Sequence, residues 1–295
     1  MPTSPLSKAL SDKIKVQIEE KDQRIFTIPQ LEKLRNELQI TLDISDITVT
    51  AALNKLYKAN TIKKIGIPFT GDKGKIIETH TRFVFGKLEK YALIASLAPH
   101  SYYSHQTALY FNDIIKTAPE TIYLSYEQSL KKKSTTLLKQ KNVDEAFTKP
   151  ARTPATTGIY LSKRIVLHNG MYTDKLGVKR HASFPGVYYT TPERTLLDLT
   201  VRPNYGGGIK SVLATYKKAK DIIDTQILVT MLDSLGYIYP YSQAVGFYME
   251  HAGFSDTDLQ LLKKRTTKID FYLAHGATNN AYSKTWRLNY PEELF

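Results

Sequence analysis

The fold of the first part of the chain is decided by residues 27–87, which read TIPQLEKLRNELQITLDISDITVTAALNKLYKANTIKKIGIPFTGDKGKIIETHTRFVFGK. The stretch opens with Thr27 and Gln30 at the spacing of a capping box. In that motif the threonine hydroxyl accepts from one amide of the first turn, and the glutamine side chain reaches back to the threonine amide. Pro29 stands in the first turn, where its missing N–H removes no helical hydrogen bond. We therefore expect a helix to begin at Thr27.

A second helix follows in the same stretch and starts near Ser45 or Asp46. Its apolar residues recur at the spacing of one helix face. These residues are Val49, Ala52, Leu53 and Leu56. Asn60 supplies the stop, because asparagine tolerates the left-handed conformation in which many helices end. The pattern predicts an amphipathic helix with a distinct outward face.

The segments on either side complete a recognisable order. Upstream, residues 5–20 predict another helix, whose apolar stripe is Leu6, Leu10, Ile14 and Ile18. Downstream, two β-prone runs flank Thr70 to Lys75, where GDKG has the composition of a hairpin turn. Helix, helix, helix, hairpin is the order of a winged helix-turn-helix. In that arrangement the last helix enters the major groove, and the hairpin tip touches the phosphate backbone or the minor groove.

Beyond Leu88 the chain mixes helical and β-like runs without regular βαβ alternation, which favours an α+β domain. The sequence thus predicts an α+β protein of two domains. A winged helix-turn-helix would occupy residues 1–88, and a larger mixed α+β domain would occupy residues 89–295.

Composition narrows the partner class. The chain carries 41 Lys and Arg against 28 Asp and Glu, a net charge of +13, so polyanions are the favoured partners. It has no cysteine, which excludes disulfides, thiolate catalysis and cysteine-based zinc sites. No apolar run is long enough for a membrane span, and the first residues lack the apolar core of a signal peptide. We expect a cytoplasmic protein with no membrane partner.

The outward face of the second predicted helix has the chemistry of base and phosphate contacts. Threonine donates to phosphates, asparagine pairs with adenine, and lysine neutralises phosphate or reads guanine. The candidate DNA-binding residues on this helix and the hairpin are Thr48, Thr50, Asn54, Lys55, Lys58, Lys63, Lys64, Lys73, Lys75 and Arg82. The alternative is a solvated face on a winged helix that binds protein.

Motifs of catalysis are missing from the sequence. We find no GxSxG elbow, P-loop or HExxH, and the histidines are scattered without metal-ligand spacing. Ser104 beside His105 resembles a hydrolase pair only superficially, because Ser104 suits a helix N-cap better. We therefore expect no catalytic residue, metal or cofactor.

The densest polar cluster, TTPERTLLDLTVRP at residues 190–203, is explained more simply by structure than by chemistry. Thr190 and Glu193 have the spacing of a capping box. Arg194 and Asp198 stand four residues apart, on one helix stripe. Both pairs therefore favour a structural role.

The sequence resembles the AbiEi antitoxins of the AbiE phage-defence systems, a type IV toxin–antitoxin family. The resemblance runs over nearly the whole chain and is carried by the N-terminal helices and hairpin together with the C-terminal motifs. These motifs are YYSHQTALYF, TIYLSYEQ, TTPERTLLDLTVRPNYGGGIKSVLATYKKAK, YPYSQAVGFYMEHAG and KIDFYLAHG. The most specific positions are Glu193, Arg194, Thr195, Leu197 and Asp198, to which no role is assigned. Ser242 departs from the family, which favours histidine at that position.

The resemblance implies a repressor that binds inverted repeats in the promoter of its own operon. It also implies that the C-terminal domain counteracts a nucleotidyltransferase toxin, without requiring a stable complex between the two proteins. Two other classes stay open at this point. One is a metal-dependent nuclease or nucleotide-modifying enzyme that uses Glu193, Asp198 and Asp270, and the other is an RNA-binding or scaffold protein.

Overall fold

The computed structural model describes residues 5–21, 23–71, 73–131, 137–154 and 156–295, and within it the side chains from residue 8 onward. The Leu6 side chain and Asp72 of the GDKG turn therefore lie outside the described residues. The chain divides into two compact units. The first consists of Met1–Pro99 and Thr156–Tyr160, and the second consists of His100–Ala155 and Leu161–Phe295.

The first unit opens with helices and a hairpin. Its helices are α1 (Pro5–Glu19), α2 (Ile28–Leu42), α3 (Asp46–Lys58) and α4 (Lys90–Ala95). The strands that alternate with them are β1 (Ile25–Phe26), β2 (Ile62–Thr70) and β3 (Ile76–Phe85).

The remaining elements follow in chain order. The helices are α5 (His105–Phe111), α6 (Gln140–Phe147), α7 (Pro192–Val201), α8 (Ile209–Ala219), α9 (Thr225–Leu235), α10 (Tyr241–His251) and α11 (Asp256–Lys263). The strands are β4 (Tyr102–Tyr103), β5 (Thr121–Glu127), β6 (Thr157–Tyr160), β7 (Lys163–Gly170), β8 (Val178–Arg180), β9 (Tyr188–Thr190), β10 (Phe271–Tyr272), β11 (Asn280–Ser283) and β12 (Leu288–Pro291). Of these, β6 belongs to the first unit. Short 3₁₀ turns follow α7 and β12.

The predicted capping box is present at the start of α2. The Thr27 hydroxyl accepts from the Gln30 amide at 3.3 Å, and the Thr27 amide donates to Oε1 of Gln30 at 2.9 Å. Asn60 ends α3 as expected, with a φ of 57°, and the amide of the next residue, Thr61, donates to the Leu56 carbonyl. This pattern is that of a Schellman motif, so both boundaries follow from local residue chemistry.

The core of the first unit lies where α1, α2 and α3 meet the inner ends of the hairpin. Its buried members are Ile14, Ile18, Phe26, Leu34, Leu38, Val49, Ala52, Leu56, Ile62 and Phe85. The hairpin pairs β2 with β3 antiparallel from Ile62 opposite Phe85 outward, with a register shift at Phe69 and Thr70. Strand β1 pairs with β3, and β6 pairs with the end of β2. The apolar face predicted for α3 therefore packs into this core, against the other helices and the hairpin.

The second unit combines a mixed sheet with a helical core. Strands β5 and β7 run parallel, β4 is antiparallel to β5, and β9 joins β4 in parallel and β8 in antiparallel pairing. A smaller sheet has the order β10, β12, β11. Apolar residues of α7 to α11 form the main core around the fully buried Trp286. The mixed α+β class expected from the sequence is confirmed.

No helix among the described residues is both long and apolar enough to cross a bilayer.

Candidate nucleic-acid interface

Helix α3 has one buried face and one outward face. Val49, Ala52 and Leu56 are buried, as the apolar spacing predicted, whereas Leu53 lies at the edge of the core. At 3.6 residues per turn, positions 47, 51, 54 and 58 stand opposite that buried face. These positions carry Ile47, Ala51, Asn54 and Lys58, and all of them are exposed. The helix thus presents a continuous outward stripe.

The candidate residues of α3 do not all stand on this stripe. Asn54 and Lys58 lie on it, whereas Thr48, Thr50 and Lys55 flank it and are half-buried. The Thr48 hydroxyl is 2.7 Å from the hydroxyl of Ser45, the N-cap whose side chain accepts from the Thr48 amide. Thr48 therefore takes part in the helix start, and Asn54 and Lys58 are the best presented of the predicted residues.

The sequence reading missed an exposed isoleucine at the start of the stripe. Ile47 is 81% exposed although it lies in the first turn of α3. Its position opposite Val49 follows from the helical period, but the residues predicted to bind DNA are all polar.

A short, well-defined connection joins α2 to α3. Asp43, Ile44 and Ser45 separate the two helices, and Asp43 adopts the left-handed conformation with a φ of 49°. The Ile44 amide donates to the Gln39 carbonyl, so α2 ends with the same kind of hydrogen bond as α3. Across the connection, Nε of Arg35 lies 3.0 Å from a carboxylate oxygen of Asp46. The ion pair offsets the negative charge at the start of α3.

The hairpin carries exposed lysines at both ends. Lys63 and Lys64 are exposed at the start of β2, and Lys73 and Lys75 are exposed at the tip. The tip is shaped by Gly74, whose φ of +69° suits glycine, and its amide donates to the Gly71 carbonyl. These lysines carry positive charge along the hairpin.

Arg82 differs from the other candidates because it is buried, with 6% of its surface exposed. Its guanidinium donates to the hydroxyl and carbonyl oxygens of Ser96, at 3.0 and 2.7 Å, and to the Thr81 carbonyl. Burial lowers the pKa of Arg82. The side chain shares a strand face with the buried Val84, which explains its inward direction. We therefore correct the prediction: Arg82 anchors the hairpin to the segment after α4 and is not on the outer surface.

The signature of the second unit surrounds a buried ion pair on α7. Nε of Arg194 lies 2.9 Å from Oδ1 of Asp198, and both side chains are at least nine-tenths buried. The guanidinium also donates to the Leu176 carbonyl and, at 3.3 Å, to the hydroxyl of Thr173. Burial lowers the pKa of Arg194, but Asp198, Tyr102 and Tyr237 together raise it by more. The i, i+4 pairing expected from the sequence is therefore present and ties α7 to residues 173–176.

The other signature positions also serve the fold. The N-cap of α7 is Thr191, whose hydroxyl accepts from the Arg194 amide, so the capping box expected at Thr190 is wrong by one residue. The Thr190 hydroxyl instead lies 2.7 Å from that of Thr195. Glu193 accepts from the Asp224 amide just before α9. Leu197 is buried in the main core.

The carboxylates proposed for a nuclease are each engaged within the protein. Asp198 pairs with Arg194, Glu193 accepts from Asp224, and Asp270 contacts the hydroxyl of Tyr282 and the guanidinium of Arg287, each at 2.7 Å. Within the described ranges, no group of three or more His, Asp or Glu side chains is arranged to hold a metal ion.

Ser104 occupies the N-cap position of α5, as the sequence predicted, but its hydroxyl makes no capping hydrogen bond. Its hydroxyl lies 2.8 Å from Nδ1 of His105 and 2.6 Å from the hydroxyl of Ser125, which also contacts Nδ1 of His168. Burial, followed by the positive charge of Arg202, holds the pKa of His105 well below its usual value. Burial and the neighbouring His105 lower the pKa of His168 to about 3. Ser104, His105 and Ser125 are buried, so the group is a packed polar cluster in which only His168 is half-buried.

Comparison with known proteins adds a likeness of fold. No family model matches the chain, and no curated protein sequence matches it significantly. The crystal structure of the RV2827C protein from Mycobacterium tuberculosis is similar, with a TM-score of 0.53 and 13% sequence identity. The alignment covers 96% of this chain and 91% of that chain. At this identity the likeness concerns the fold alone.

Proposed function

We propose that this chain is a sequence-specific DNA-binding antitoxin of the AbiEi type. The first unit acts as a winged helix-turn-helix that binds double-stranded promoter DNA with inverted repeats and represses its own operon. The second unit counteracts a nucleotidyltransferase toxin without catalysis, metal or cofactor, and the protein works in the cytoplasm. The outward stripe of α3, beside a lysine-bearing hairpin, is the observation that carries the proposal.

The arrangement around α3 supports the winged-helix reading. The order α1, β1, α2, α3, β2, β3 places two helices and a short turn before a hairpin. The turn closes with Asp43 in the left-handed conformation, and α3 then buries only one face. In helix-turn-helix proteins the second of these helices enters the major groove with its N-terminal residues against the bases. Asn54 on the free face has the donor and acceptor that pair with adenine.

Charge supports a polyanionic partner. Lys58 extends the stripe of α3, and Lys63 and Lys64 follow it closely in the chain. Lys73 and Lys75 at the hairpin tip match the place where a wing meets the phosphate backbone. These lysines are exposed, so no burial cost opposes their contact with phosphate.

The antitoxin part of the proposal comes from the family resemblance. The signature residues Arg194 and Asp198 are joined to each other, and Thr195 bonds to Thr190. Their chemistry is thus used inside the second unit. This supports a non-catalytic role, in which the signature maintains the unit that opposes the toxin.

The proposal is tested by titrating the full chain against its own promoter duplex and a shuffled duplex across a salt series. With about four to eight phosphates neutralised, log K falls against log salt with a slope of about −0.9 per phosphate. The double variant Lys73→Ala/Lys75→Ala weakens binding to both duplexes and reduces the slope by about two. Lys217→Ala/Lys218→Ala, which removes the same charge from exposed positions of α8, is the matched control and leaves the slope unchanged.

Several outcomes contradict the proposal. If the affinity for DNA does not change with salt concentration, the proposed contacts between lysines and phosphates are wrong. Equal loss in both double variants means that the +13 charge acts without a defined surface. Preference for structured RNA over promoter duplex favours the RNA-binding alternative.

A further inference from the structure

The start of the outward stripe on α3 is apolar, which is unusual for a solvated helix. Ile47 is 81% exposed, and Ala51, one turn later, is also exposed. Neither belongs to the apolar core of the first unit, which is formed on the opposite face of the helix. The folded chain therefore gains nothing from an isoleucine at position 47 by burying it.

The next residue on the stripe is an amide rather than a guanidinium. Asn54 lies one turn beyond Ala51, and the only positive side chain on the stripe, Lys58, comes a further turn along. Thymine offers a methyl group in the major groove, and adenine offers the donor and acceptor that asparagine matches. Guanine is read by arginine or lysine, and the first three positions of the stripe, Ile47, Ala51 and Asn54, contain neither. The stripe is thus complementary to A·T base pairs.

Helical spacing makes the complementarity specific. At 1.5 Å rise per residue, Ala51 stands about 6 Å and Asn54 about 10 Å along the helix from Ile47. Base pairs repeat every 3.4 Å or so along the duplex. The three side chains therefore span about three base-pair steps, which fits one half-site.

Approach of this end of the helix to DNA is not opposed by an unpaired carboxylate. Asp46, beside Ile47, is the acidic residue of the first turn, and Arg35 holds it at 3.0 Å. The ion pair offsets the repulsion that Asp46 would exert on phosphates.

We propose that Ile47 and Ala51 contact thymine methyl groups, so that α3 selects half-sites in which A·T pairs occupy two positions before the adenine read by Asn54. This inference rests on the proposed DNA-binding function and adds the class of base pair recognised. The selectivity is carried by apolar contact and not by charge, so it persists at salt concentrations that weaken the phosphate contacts.

The experiment replaces each thymine of the promoter repeat, one at a time, by deoxyuridine, which lacks only the methyl group. Burial of one methyl group is worth about a fourfold change in affinity. We expect wild-type protein to lose about fourfold at one or two thymines of each half-site. Ile47→Ala abolishes the loss at one of them, because the variant no longer touches that methyl.

Ile40→Ala is the matched control. Ile40 is 80% exposed near the end of α2, so the substitution removes the same atoms from an equally exposed site of the same unit. It is expected to keep the full deoxyuridine response, and urea unfolding of both variants checks that each is folded.

The results separate the inference from the function on which it rests. If wild-type protein binds the promoter but ignores every deoxyuridine, or if Ile47→Ala keeps the whole response, the methyl contact is wrong and DNA binding stands. If wild-type protein binds no duplex, the proposed function itself fails. The deoxyuridine scan of wild-type protein needs no variant, and a flat scan overturns the methyl contact even if Ile47→Ala does not fold.

Discussion

Helices α3 and α7 both carry polar residues at helical spacing, yet they use them in opposite ways. On α3, Asn54 and Lys58 are exposed on the face opposite the core of the first unit. On α7, Arg194 and Asp198 are buried and bonded to each other at 2.9 Å. A buried polar residue needs an internal partner, whereas an exposed one is free to contact solvent or a ligand.

This difference between α3 and α7 indicates which polar residues are available to bind a partner. Residues 190–203 form the densest polar cluster of the sequence, and most of their polar side chains take part in helix capping, hydrogen bonds or ion pairs within the protein. The less conspicuous face of α3 remains available. Substitutions on the two helices should therefore have opposite profiles, with stability affected at α7 and binding affected at α3.

The largest expected effect is on the buried ion pair. Asp198→Ala leaves the Arg194 guanidinium without its anionic partner in the interior, which costs about 3–5 kcal/mol of unfolding free energy. Urea denaturation of the full chain measures it. Glu120→Ala is the control, because Glu120 is 85% exposed in its pair with Lys163 and such pairs contribute about 1 kcal/mol or less. Equal costs for the two variants would remove the contrast between buried and exposed polar groups.

The second effect is on the pH dependence of stability. The unfolded chain protonates His168 near pH 6.5, whereas in the fold burial, the adjacent His105 and Arg202 lower its pKa to about 3 despite the opposing effect of Asp198. Between these values the unfolded state binds more protons, so stability falls as the pH falls, by about 1.4 kcal/mol per pH unit for this group.

The matched variant for that effect is His168→Gln, compared with wild-type protein in urea between pH 7 and pH 5. His105 acts in the same direction, because its pKa is also lowered. In the variant, the free energy of unfolding should therefore still fall with pH because of His105, but less steeply, because the contribution of His168 is gone. If the two proteins show parallel pH profiles, His168 is not held neutral by the fold.

The smallest effect concerns the helix start at Thr27. Thr27→Ala removes the hydroxyl that accepts from the Gln30 amide and should cost about 1 kcal/mol of stability, whereas Thr27→Ser should retain most of it. The measurement is the urea midpoint of the two variants. Identical losses for alanine and serine would mean that the hydroxyl does not stabilise α2.

Much of the fold was readable from the sequence because its signals are local. The capping box at Thr27 and the left-handed stop at Asn60 involve residues within one turn of each other. The cap of α7 was misplaced because Thr190 and Thr191 are adjacent and both fit an N-cap. Their hydrogen bonds distinguish them, since Thr191 accepts from the Arg194 amide and Thr190 bonds to Thr195. The return of β6 to the first unit depends on distant pairing that no local pattern records.

The candidate site shows the same division. The outward direction of Asn54 and Lys58 follows from helical periodicity, and the structure describes both as exposed. Arg82 was misjudged because its partner Ser96 lies beyond the hairpin in sequence, although strand alternation with Val84 already indicates its inward direction. The contacts of Ser104 with Ser125, and of Ser125 with His168, likewise join residues far apart in the chain. Sequence periodicity therefore indicates which face is free, but not which polar groups have distant partners.

The central claim is that the free face of α3 reads DNA sequence, and Asn54→Ala tests it most directly. The measurement is the affinity of wild-type protein and variant for the promoter repeat and for a set of duplexes with single base-pair changes. We expect the variant to fold as wild type and to lose about 1–3 kcal/mol of discrimination at one A·T position, with the other positions unchanged. A variant whose sequence preference is identical to that of wild-type protein at every position would contradict it.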